Sequence, residues 1–206
     1  MRKVIDTERI PIKLWLEHIE DGALQQARNM ANLPFSFKHI ALMPDAHEGY
    51  GMPIGGVLAT DGAIIPNAVG VDIGCGMCAA KTSLKSIGSR ELKKIMSGIR
   101  ALVPLGFKHH KQKQDVIFMP DPGQIISGGI AEHEFENARE QVGTLGGGNH
   151  FIEVQLGSDG QIWIMVHSGS RNIGLKVAEH YNKIAKHLNE KWYTGVDKSM
   201  NLAFLP

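Results

Sequence analysis

The chain has 206 residues, of which 43% are hydrophobic and 21% are charged, and its formal net charge is +1. These values are typical of a globular protein and exclude a global basic field that would attract nucleic acids or membranes. No stretch suits a transmembrane helix or a signal peptide, and the two cysteines do not indicate an oxidising compartment, so we expect a cytoplasmic protein.

In the first third of the chain, the pattern of apolar and turn-forming residues predicts several strands and one helix. Apolar residues alternate over 10–17, as in a strand, and Asp21 is a candidate N-cap for a helix that ends at Pro34. The apolar run 39–43 predicts a buried strand. An Asp-Gly pair within 57–65 predicts a β-hairpin, because this dipeptide favours the tight turn between two strands.

Asp45 and His47 lie in a segment rich in glycine and proline that follows the run at 39–43. Alternate residues of an extended segment share a face, so these two side chains would point the same way. Loops held by rigid strands often carry binding groups, but polar residues between Gly and Pro are equally typical of a surface turn. The residues alone leave both interpretations open.

The segment 70–78 is a glycine-rich loop that contains both cysteines of the chain. Asp72 and Cys75 are three positions apart, and glycine lets the backbone wrap tightly enough for a carboxylate and a thiolate to reach one cation. A tight turn with a buried cysteine is the alternative. The spacing of Cys75 and Cys78 also matches a redox dithiol or half a zinc site, but the Gly-Met pair between them disfavours the dithiol.

The middle of the chain predicts a strand at 78–82 and an amphipathic helix that begins near Ser89. The segment 106–115 is the most basic one and contains an aromatic residue, a combination that suits single-stranded nucleic acid. A polar loop is the favoured interpretation of this segment. A short charged helix is expected over 131–141.

A β-hairpin is the clearest structural signal in the last third. Three consecutive glycines lead into a strand at 151–156, and a Ser-Asp-Gly turn connects it to a strand at 162–166. His150 begins the first strand and His167 ends the second, so we expect the two imidazoles opposite each other, far from the turn. Two imidazoles at one end of a rigid ribbon indicate a metal site.

Carboxylate, thiolate and imidazole groups together form a mixed set of metal ligands, namely Asp72, Cys75, His150 and His167. Such a set can hold manganese or zinc, and a bridging thiolate supports two divalent ions. Two ions would stabilise both the attacking and the leaving oxygen in phosphoryl transfer. Phosphate-binding groups stand nearby in the sequence, namely the glycine backbone, Asn149, Ser170 and Arg171.

Four motifs occur along the chain, namely Pro44-Asp45-Ala46-His47-x-Gly-x-Gly, Gly70-Val71-Asp72-Ile73-Gly74-Cys75-Gly76, Leu145-Gly-Gly-Gly-Asn149-His150-Phe151-Ile152-Glu153 and His167-Ser168-Gly169-Ser170-Arg171. In content and order they resemble the RtcB family of RNA-splicing ligases. The resemblance covers essentially the whole chain, but only about the N-terminal half of a typical family member.

This resemblance implies a ligase that joins an RNA end bearing a 2′,3′-cyclic phosphate or a 3′-phosphate to a 5′-hydroxyl end. Its cofactors would be GTP and two manganese ions, and a histidine would carry GMP as an intermediate. By motif, Asp72 would bind one ion, Cys75 would bridge both, His150 would complete the first and His167 would serve the second. The resemblance places the guanylate pocket at Asn149, His150, Phe151, Ile152 and Glu153. It places RNA or phosphate contacts at Arg171 and Ser170, with Asp45 and His47 at the edge of the site.

The resemblance and the strand pattern predict an α+β fold with antiparallel or mixed sheets and helices packed outside. Residues 1–206 would be the N-terminal part of a single catalytic domain, whose C-terminal half carries the guanylylated histidine and another metal ligand. This chain alone is therefore expected to be inactive. RNA ends, from tRNA splicing or RNA repair, would be the partners. A non-ligating nucleotide- or RNA-binding module and a metal-dependent phosphohydrolase are the alternative hypotheses.

Overall fold

Two β-sheets and five α-helices make up the computed structural model, which describes residues 1–206, so the expected α+β class is confirmed. The chain divides into two units. The first is formed by residues 1–71 and 178–206, and the second by residues 72–177. The expectation that 1–206 is one part of a single larger catalytic domain stays a prediction.

The first unit contains residues 178–191 of a longer helix, together with four strands and two complete helices, namely β1 (Lys3–Ile5), β2 (Ile12–Leu14), α1 (Asp21–Ala31), β3 (Ser36–His47), β4 (Ile54–Thr60) and α2 (Pro66–Val69). The sheet order is β1-β2-β3-β4, and it is mixed because β2 and β3 run parallel while the other pairs are antiparallel. Helix α1 buries an apolar stripe, since its apolar residues recur at helical spacing. The largest fully buried side chains all belong to this unit, namely Ile12, Met30, Ile40, Leu42 and Leu202.

Strand β3 is longer than the apolar run at 39–43 predicted. It continues through Pro44 to His47, so Asp45 and His47 lie on a strand and not in a loop. Both residues are exposed, while Ala46 between them is buried. The expectation that they share one face is therefore confirmed. Helix α1 also starts one residue earlier than predicted, because Glu20 is the N-cap and Asp21 lies in the first turn.

The β-hairpin predicted over 57–65 is wrong. Strand β4 pairs with β3, where Val57 lies opposite Ala41, and Ile64 instead forms an isolated bridge with Leu205. The hydroxyl of Thr60 donates to the carbonyl of Ala63, 2.6 Å away, which closes a local turn. The Asp-Gly pair therefore does turn the chain, but the returning segment pairs with Leu205 and not with β4.

The second unit contains β5 (Gly76–Lys81), α3 (Ser89–Leu102), α4 (Ile130–Ala138), β6 (Phe151–Leu156), β7 (Ile162–Ser168) and the start of α5 (Ile173–Lys191), a helix that continues into the first unit. Three-residue 3-10 helices occur at Val116–Phe118, Pro122–Gln124 and Lys198–Met200. No helix of the structure combines the length and the apolar content that crossing a membrane requires.

The sheet of the second unit is antiparallel throughout, in the order β5-β7-β6. The hairpin predicted from the Ser-Asp-Gly turn is confirmed as β6 and β7. Its register places His167 opposite Phe151, so His150 lies one residue before β6 and not directly opposite His167 as expected. The central strand β7 thus has β5 on one side and β6 on the other, and residues next to the strand ends meet at one end of the sheet.

Candidate metal centre

Three of the four predicted metal ligands converge in the second unit. The ligand atoms of Cys75, His150 and His167 all lie within 4.8 Å of one another. The Sγ atom of Cys75 is 3.6 Å from Nε2 of His150. The two imidazole rings meet edge to face, with their centroids 5.1 Å apart.

The sheet order explains why these residues meet. Cys75 directly precedes β5, His150 directly precedes β6, and His167 is the penultimate residue of β7. Because both outer strands run antiparallel to β7, their first residues lie beside its last ones. Side chains at strand ends of a hydrogen-bonded sheet are well fixed, so the three donors are positioned before any ligand arrives.

The ring of His167 is oriented by its neighbours. Its Nδ1 atom lies 3.2 Å from the carbonyl oxygen of Asn149, and a carbonyl only accepts, so Nδ1 carries the proton and donates it. The ring of Phe151 packs edge to face at 5.7 Å between centroids. Nε2 of His167 is thereby left with a free lone pair, which is the usual arrangement for a histidine that ligates a metal.

The ring of His150 occupies a slot that two glycines leave open. A Cβ atom at Gly169 would lie 2.4 Å from Cε1 of this ring, and one at Gly146 would lie 2.5 Å from its Nδ1. Nδ1 is buried and has no hydrogen-bond partner. The position of the ring is therefore set by packing and by the approach of Nε2 to Cys75, and not by hydrogen bonding of Nδ1.

Asp72, the fourth predicted ligand, is not a member of this group. Its backbone carbonyl accepts a hydrogen bond from the N–H of Cys75 at 2.9 Å, which closes a turn, and its side chain is exposed. Cys78, which was not predicted as a ligand, is exposed within β5. The structure thus brings together the thiol and both imidazoles, and leaves the carboxylate outside the group.

Arg171, predicted to contact phosphate, makes hydrogen bonds within the protein. Its Nε donates to the hydroxyl of Thr144 at 2.6 Å, and its Nη2 donates to the carbonyl of Gly106 at 2.7 Å. Burial lowers the pKa of the guanidinium from its usual value. The backbone of Arg171 is left-handed, with φ of 56°. This side chain therefore ties the turn after β7 to the glycine-rich loop before β6.

Ser170 also has a partner within the protein, because its Oγ accepts a hydrogen bond from the N–H of Gly174 at 3.1 Å. Among the residues predicted for the guanylate pocket, Phe151 and Glu153 lie on the sheet face that carries His167, whereas Ile152 lies on the opposite face. Asn149 is exposed and its carbonyl holds His167.

Asp45 and His47 lie in the first unit and are not members of the group. Nδ1 of His47 is 2.8 Å from the carbonyl oxygen of Asp45, so it is the ring nitrogen that donates. Gly55 on the neighbouring strand lets the chains approach, because a Cβ there would lie 2.9 Å from Oδ1 of Asp45. The roles predicted for both residues stay predictions.

The residues that sequence reasoning missed are those that shape the slot around His150. Gly146, Gly169 and Thr144 contact His150 or Arg171, but none of them was singled out. The glycine run was visible in the sequence as a candidate phosphate loop. Which of its glycines faces an imidazole depends on the three-dimensional path of the loop, which spacing does not specify.

Comparison with known proteins gives one consistent family. The family model described as tRNA-splicing ligase RtcB matches residues 26–121 and 123–206. The chain is 41% identical over 201 residues to RNA-splicing ligase RtcB of Escherichia coli K12, which covers 89% of this chain and 49% of that protein. It is 34% identical over 220 residues to tRNA-splicing ligase RtcB of Thermococcus kodakarensis, covering 84% and 46%. The chain thus spans about half the length of the curated relatives it matches.

Proposed function

The chain belongs to the RtcB family of RNA-splicing ligases, and we propose that it forms the metal-binding part of an enzyme that joins RNA ends. The observation that carries this proposal is the convergence of Cys75, His150 and His167, whose ligand atoms lie within 4.8 Å of one another. Each of the three comes from a different strand end, so their meeting is a property of the fold and not of one local motif.

The residues fit a divalent transition metal. Thiolate and imidazole are ligands for such ions, and His167 is held with Nε2 free by the carbonyl of Asn149. Leaving a buried nitrogen unpaired, as at Nδ1 of His150, costs about 1–3 kcal/mol. The ring orientation that leaves Nδ1 unpaired also places Nε2 close to Sγ of Cys75. A ligand role for Nε2 explains why the ring has this orientation.

Manganese is the ion we propose, with two ions in the complete enzyme, as the family resemblance implies. Cys75 would contact both ions, His150 the first and His167 the second, and Asp72 would add a carboxylate to the first. When bound, the ions would supply positive charge that stabilises the attacking and leaving oxygens of phosphoryl transfer. The protein residues would present the Cys75 sulfur, hold His167 in one tautomer and fix His150 in its slot.

The reaction we propose joins a 2′,3′-cyclic phosphate or 3′-phosphate RNA end to a 5′-hydroxyl end, with GTP as cofactor and GMP carried on a histidine. None of the histidines of this chain is assigned as that carrier. The guanylate contacts would come from 149–153, and phosphate contacts from Ser170 and Arg171. Broken RNAs or tRNA halves are the proposed substrates, and a cytoplasmic location stays a prediction.

A covalent GMP assay tests this proposal. A family-length protein that contains this chain is incubated with manganese and GTP labelled in the α-phosphate, and the protein-bound label and the joined RNA are measured. We expect both products in the parent and neither when Cys75 is replaced by alanine. Absence of protein-bound GMP in the parent would contradict the proposal. Opening of the cyclic phosphate without joining would instead favour a phosphohydrolase.

A further inference from the structure

The most basic segment of the sequence forms a loop that is held in place by backbone hydrogen bonds, and we name it the basic loop (residues 106–112). At its start, the N–H of Gly106 donates to the carbonyl of Gly146 at 2.8 Å. Further along, the N–H of His110 donates to the carbonyl of Glu140 at 2.9 Å. The side chains between these two hydrogen bonds are therefore attached to backbone of fixed position.

The basic loop begins beside the candidate metal centre. The carbonyl of Gly106 also accepts the 2.7 Å hydrogen bond from Nη2 of Arg171. Its backbone partner Gly146 lines the slot of His150, since a Cβ at Gly146 would lie 2.5 Å from Nδ1 of that ring. Phe107 follows at the next Cα, about 3.8 Å further along the chain. A ligand on the ring of Phe107 would therefore be a neighbour of the metal ligands.

Phe107 projects from the basic loop into solvent, with a relative exposure of 101%. A single exposed apolar side chain is ordinary, so this exposure gains meaning only from the charges beside it. Lys108 and Lys111 are both exposed, and neither takes part in an ion pair. No acidic residue occurs within the basic loop. The ring therefore stands between two free cations.

An aromatic face next to free cations fits single-stranded nucleic acid. Bases of any sequence can stack on the ring, because every base has a π-face, while the cations contact the phosphates. The formal net charge of the whole chain is only +1, so attraction of RNA depends on local patches such as this one. The combination of stacking surface and cations is what distinguishes the basic loop from an ordinary polar loop.

We propose that the basic loop binds an unpaired nucleotide of the RNA, with its base stacked on Phe107 and the adjoining phosphates at Lys108 and Lys111. The inference rests on the proposed function, because it assumes that the neighbouring metal centre acts on RNA ends. It adds a subsite and a preference to that function. Within a continuous duplex both faces of each base are already stacked, so the basic loop selects ends that carry unpaired nucleotides.

A segment of protein is the competing occupant of the Phe107 ring. The cores of protein interfaces are depleted of lysine relative to the rest of the surface. Here Lys108 is adjacent to the ring in the sequence, and Lys111 lies in the same short loop. Phosphates pair with both ammonium groups, whereas an apolar protein contact would leave them to be desolvated. The surroundings of the ring therefore favour RNA.

Fluorescence titrations of the 206-residue chain and of a family-length protein containing it test this subsite. A short single-stranded RNA carries a fluorescent label for anisotropy or 2-aminopurine in place of one base. We expect Phe107→Ala to weaken binding about 5- to 150-fold, the loss of one base–aromatic stack. Phe107→Trp should restore the affinity. Quenching of 2-aminopurine, which reports stacking, should occur with the parent and with Phe107→Trp but not with Phe107→Ala.

The salt dependence of binding separates the phosphate contacts from the stack. Lys108→Gln and Lys111→Gln should each lower the slope of log affinity against log salt by about 0.7, whereas Phe107→Ala should leave the slope unchanged. Lys113→Gln is the matched charge control, because that ammonium is already paired with Glu136 at 2.8 Å.

Phe118→Ala is the matched aromatic control. Its ring is 68% exposed, but its nearest charged neighbours in the sequence are acidic. The RNA affinity of this variant should equal that of the parent. A loss of affinity as large as that of Phe107→Ala would show that any exposed aromatic ring contributes, and would overturn the assignment to the basic loop.

Three further results would overturn the inference: no RNA binding by either protein, equal RNA affinity of the parent and Phe107→Ala, or unquenched 2-aminopurine in the parent complex. Equal RNA affinity together with a lower unfolding midpoint of the family-length Phe107→Ala protein would identify the ring as a protein contact. The GMP assay needs no RNA, so protein-bound GMP without a Phe107 effect would preserve the ligase proposal alone. Phe107-dependent RNA binding without protein-bound GMP would support the subsite and contradict the ligase proposal.

Discussion

The Sγ atom of Cys75 lies 3.6 Å from Nε2 of His150, although the two residues are 75 positions apart. Neither residue belongs to a strand, but each immediately precedes one, β5 and β6 respectively. Since both strands pair antiparallel with β7, the two residues are brought to the end of the sheet where His167 stands. The donor group therefore depends on the pairing of three strands, and each donor can be tested separately.

Cys75 is expected to supply the thiolate of the metal centre. Cobalt can replace manganese or zinc as a spectroscopic probe, and a bound thiolate gives a charge-transfer band in the near ultraviolet. We expect this band in the parent chain and its loss in Cys75→Ser. Metal affinity should fall more than about 100-fold, because even changes outside the ligand set cost about 10–100-fold.

Cys78→Ser is the matched control, since Cys78 is the other free thiol of the chain and lies exposed in β5. The cobalt band should persist in this variant with unchanged intensity. A band that disappears in Cys78→Ser and survives in Cys75→Ser would show that the metal binds at the other cysteine, and the assignment of the centre would be wrong.

Gly169 is expected to control metal affinity without being a ligand. Its added Cβ in Gly169→Ala would lie 2.4 Å from Cε1 of His150, so the imidazole must leave its slot. No positive φ is involved at Gly169, and the effect is therefore steric alone. We expect metal affinity, measured by competition with a chromogenic chelator, to fall about 10–100-fold.

Gly147→Ala provides the comparison for this substitution. The nearest atom to a Cβ at Gly147 is Cα of Gly106, at the ordinary contact distance of 3.5 Å. Metal affinity should therefore stay within error of the parent. Equal losses in both variants would mean that the glycine loop is generally intolerant, and the specific slot around His150 would lose its support.

The sequence predicted the hairpin of β6 and β7 because its signal is local: alternating apolar residues flank a Ser-Asp-Gly turn. The predicted hairpin also implied that His150 and His167 lie close together, and the observed register differs from the predicted one by a single residue. The contribution of Cys75 could not be derived in the same way. It depends on β5 pairing with the far side of β7, a contact between segments about 90 positions apart that no local pattern encodes.

Local patterns also failed where tertiary contacts competed with them. The Asp-Gly turn after β4 predicted a hairpin, but the returning segment forms its bridge with Leu205, from the far end of the chain. Arg171 was predicted to face a phosphate because guanidinium suits that role. Its hydrogen bonds to Thr144 and Gly106 show that a conformation with φ of 56° aims the side chain into the protein. Such a conformation is uncommon for residues other than glycine and has no sequence signature.

Gly174, in the first turn of α5, is expected to tolerate no side chain. A Cβ there would lie 2.0 Å from the carbonyl oxygen of Ile73, in the loop between Asp72 and Cys75. The helix and this loop would have to separate, so Gly174→Ala should lower the free energy of unfolding by about 1–3 kcal/mol. Urea denaturation followed by circular dichroism measures this change.

The same substitution at Gly98, within α3, should have the opposite sign. No atom lies within 4 Å of a Cβ at Gly98, and alanine in a helix interior is favoured over glycine by about 0.5–1 kcal/mol. Gly98→Ala is therefore expected to raise the midpoint of unfolding. If both variants were stabilised, the close approach of α5 to the loop at Ile73 would be contradicted.

Asp159, in the turn between β6 and β7, should titrate at unusually low pH. Its hydrogen bond from Lys81, at 2.7 Å, is the main cause that lowers its pKa to about 2, and Trp163 adds a second hydrogen bond. An unfolded aspartate titrates near 3.9. The stabilisation is thus complete above that pH and is lost as the pH falls from about 4 to about 2.

Carbon NMR of the carboxyl group measures this titration directly, and Lys81→Met is the variant that tests its cause. Removal of the ammonium should raise the pKa of Asp159 toward its ordinary value and make the loss of stability between about pH 4 and pH 2 smaller. The pKa of Asp197, which is lowered by the backbone N–H of Ser199, should not change, because that hydrogen bond does not involve Lys81. An unaltered Asp159 titration in Lys81→Met would show that the turn itself, through Trp163 and the backbone of Gln161, is sufficient to hold the carboxylate ionised.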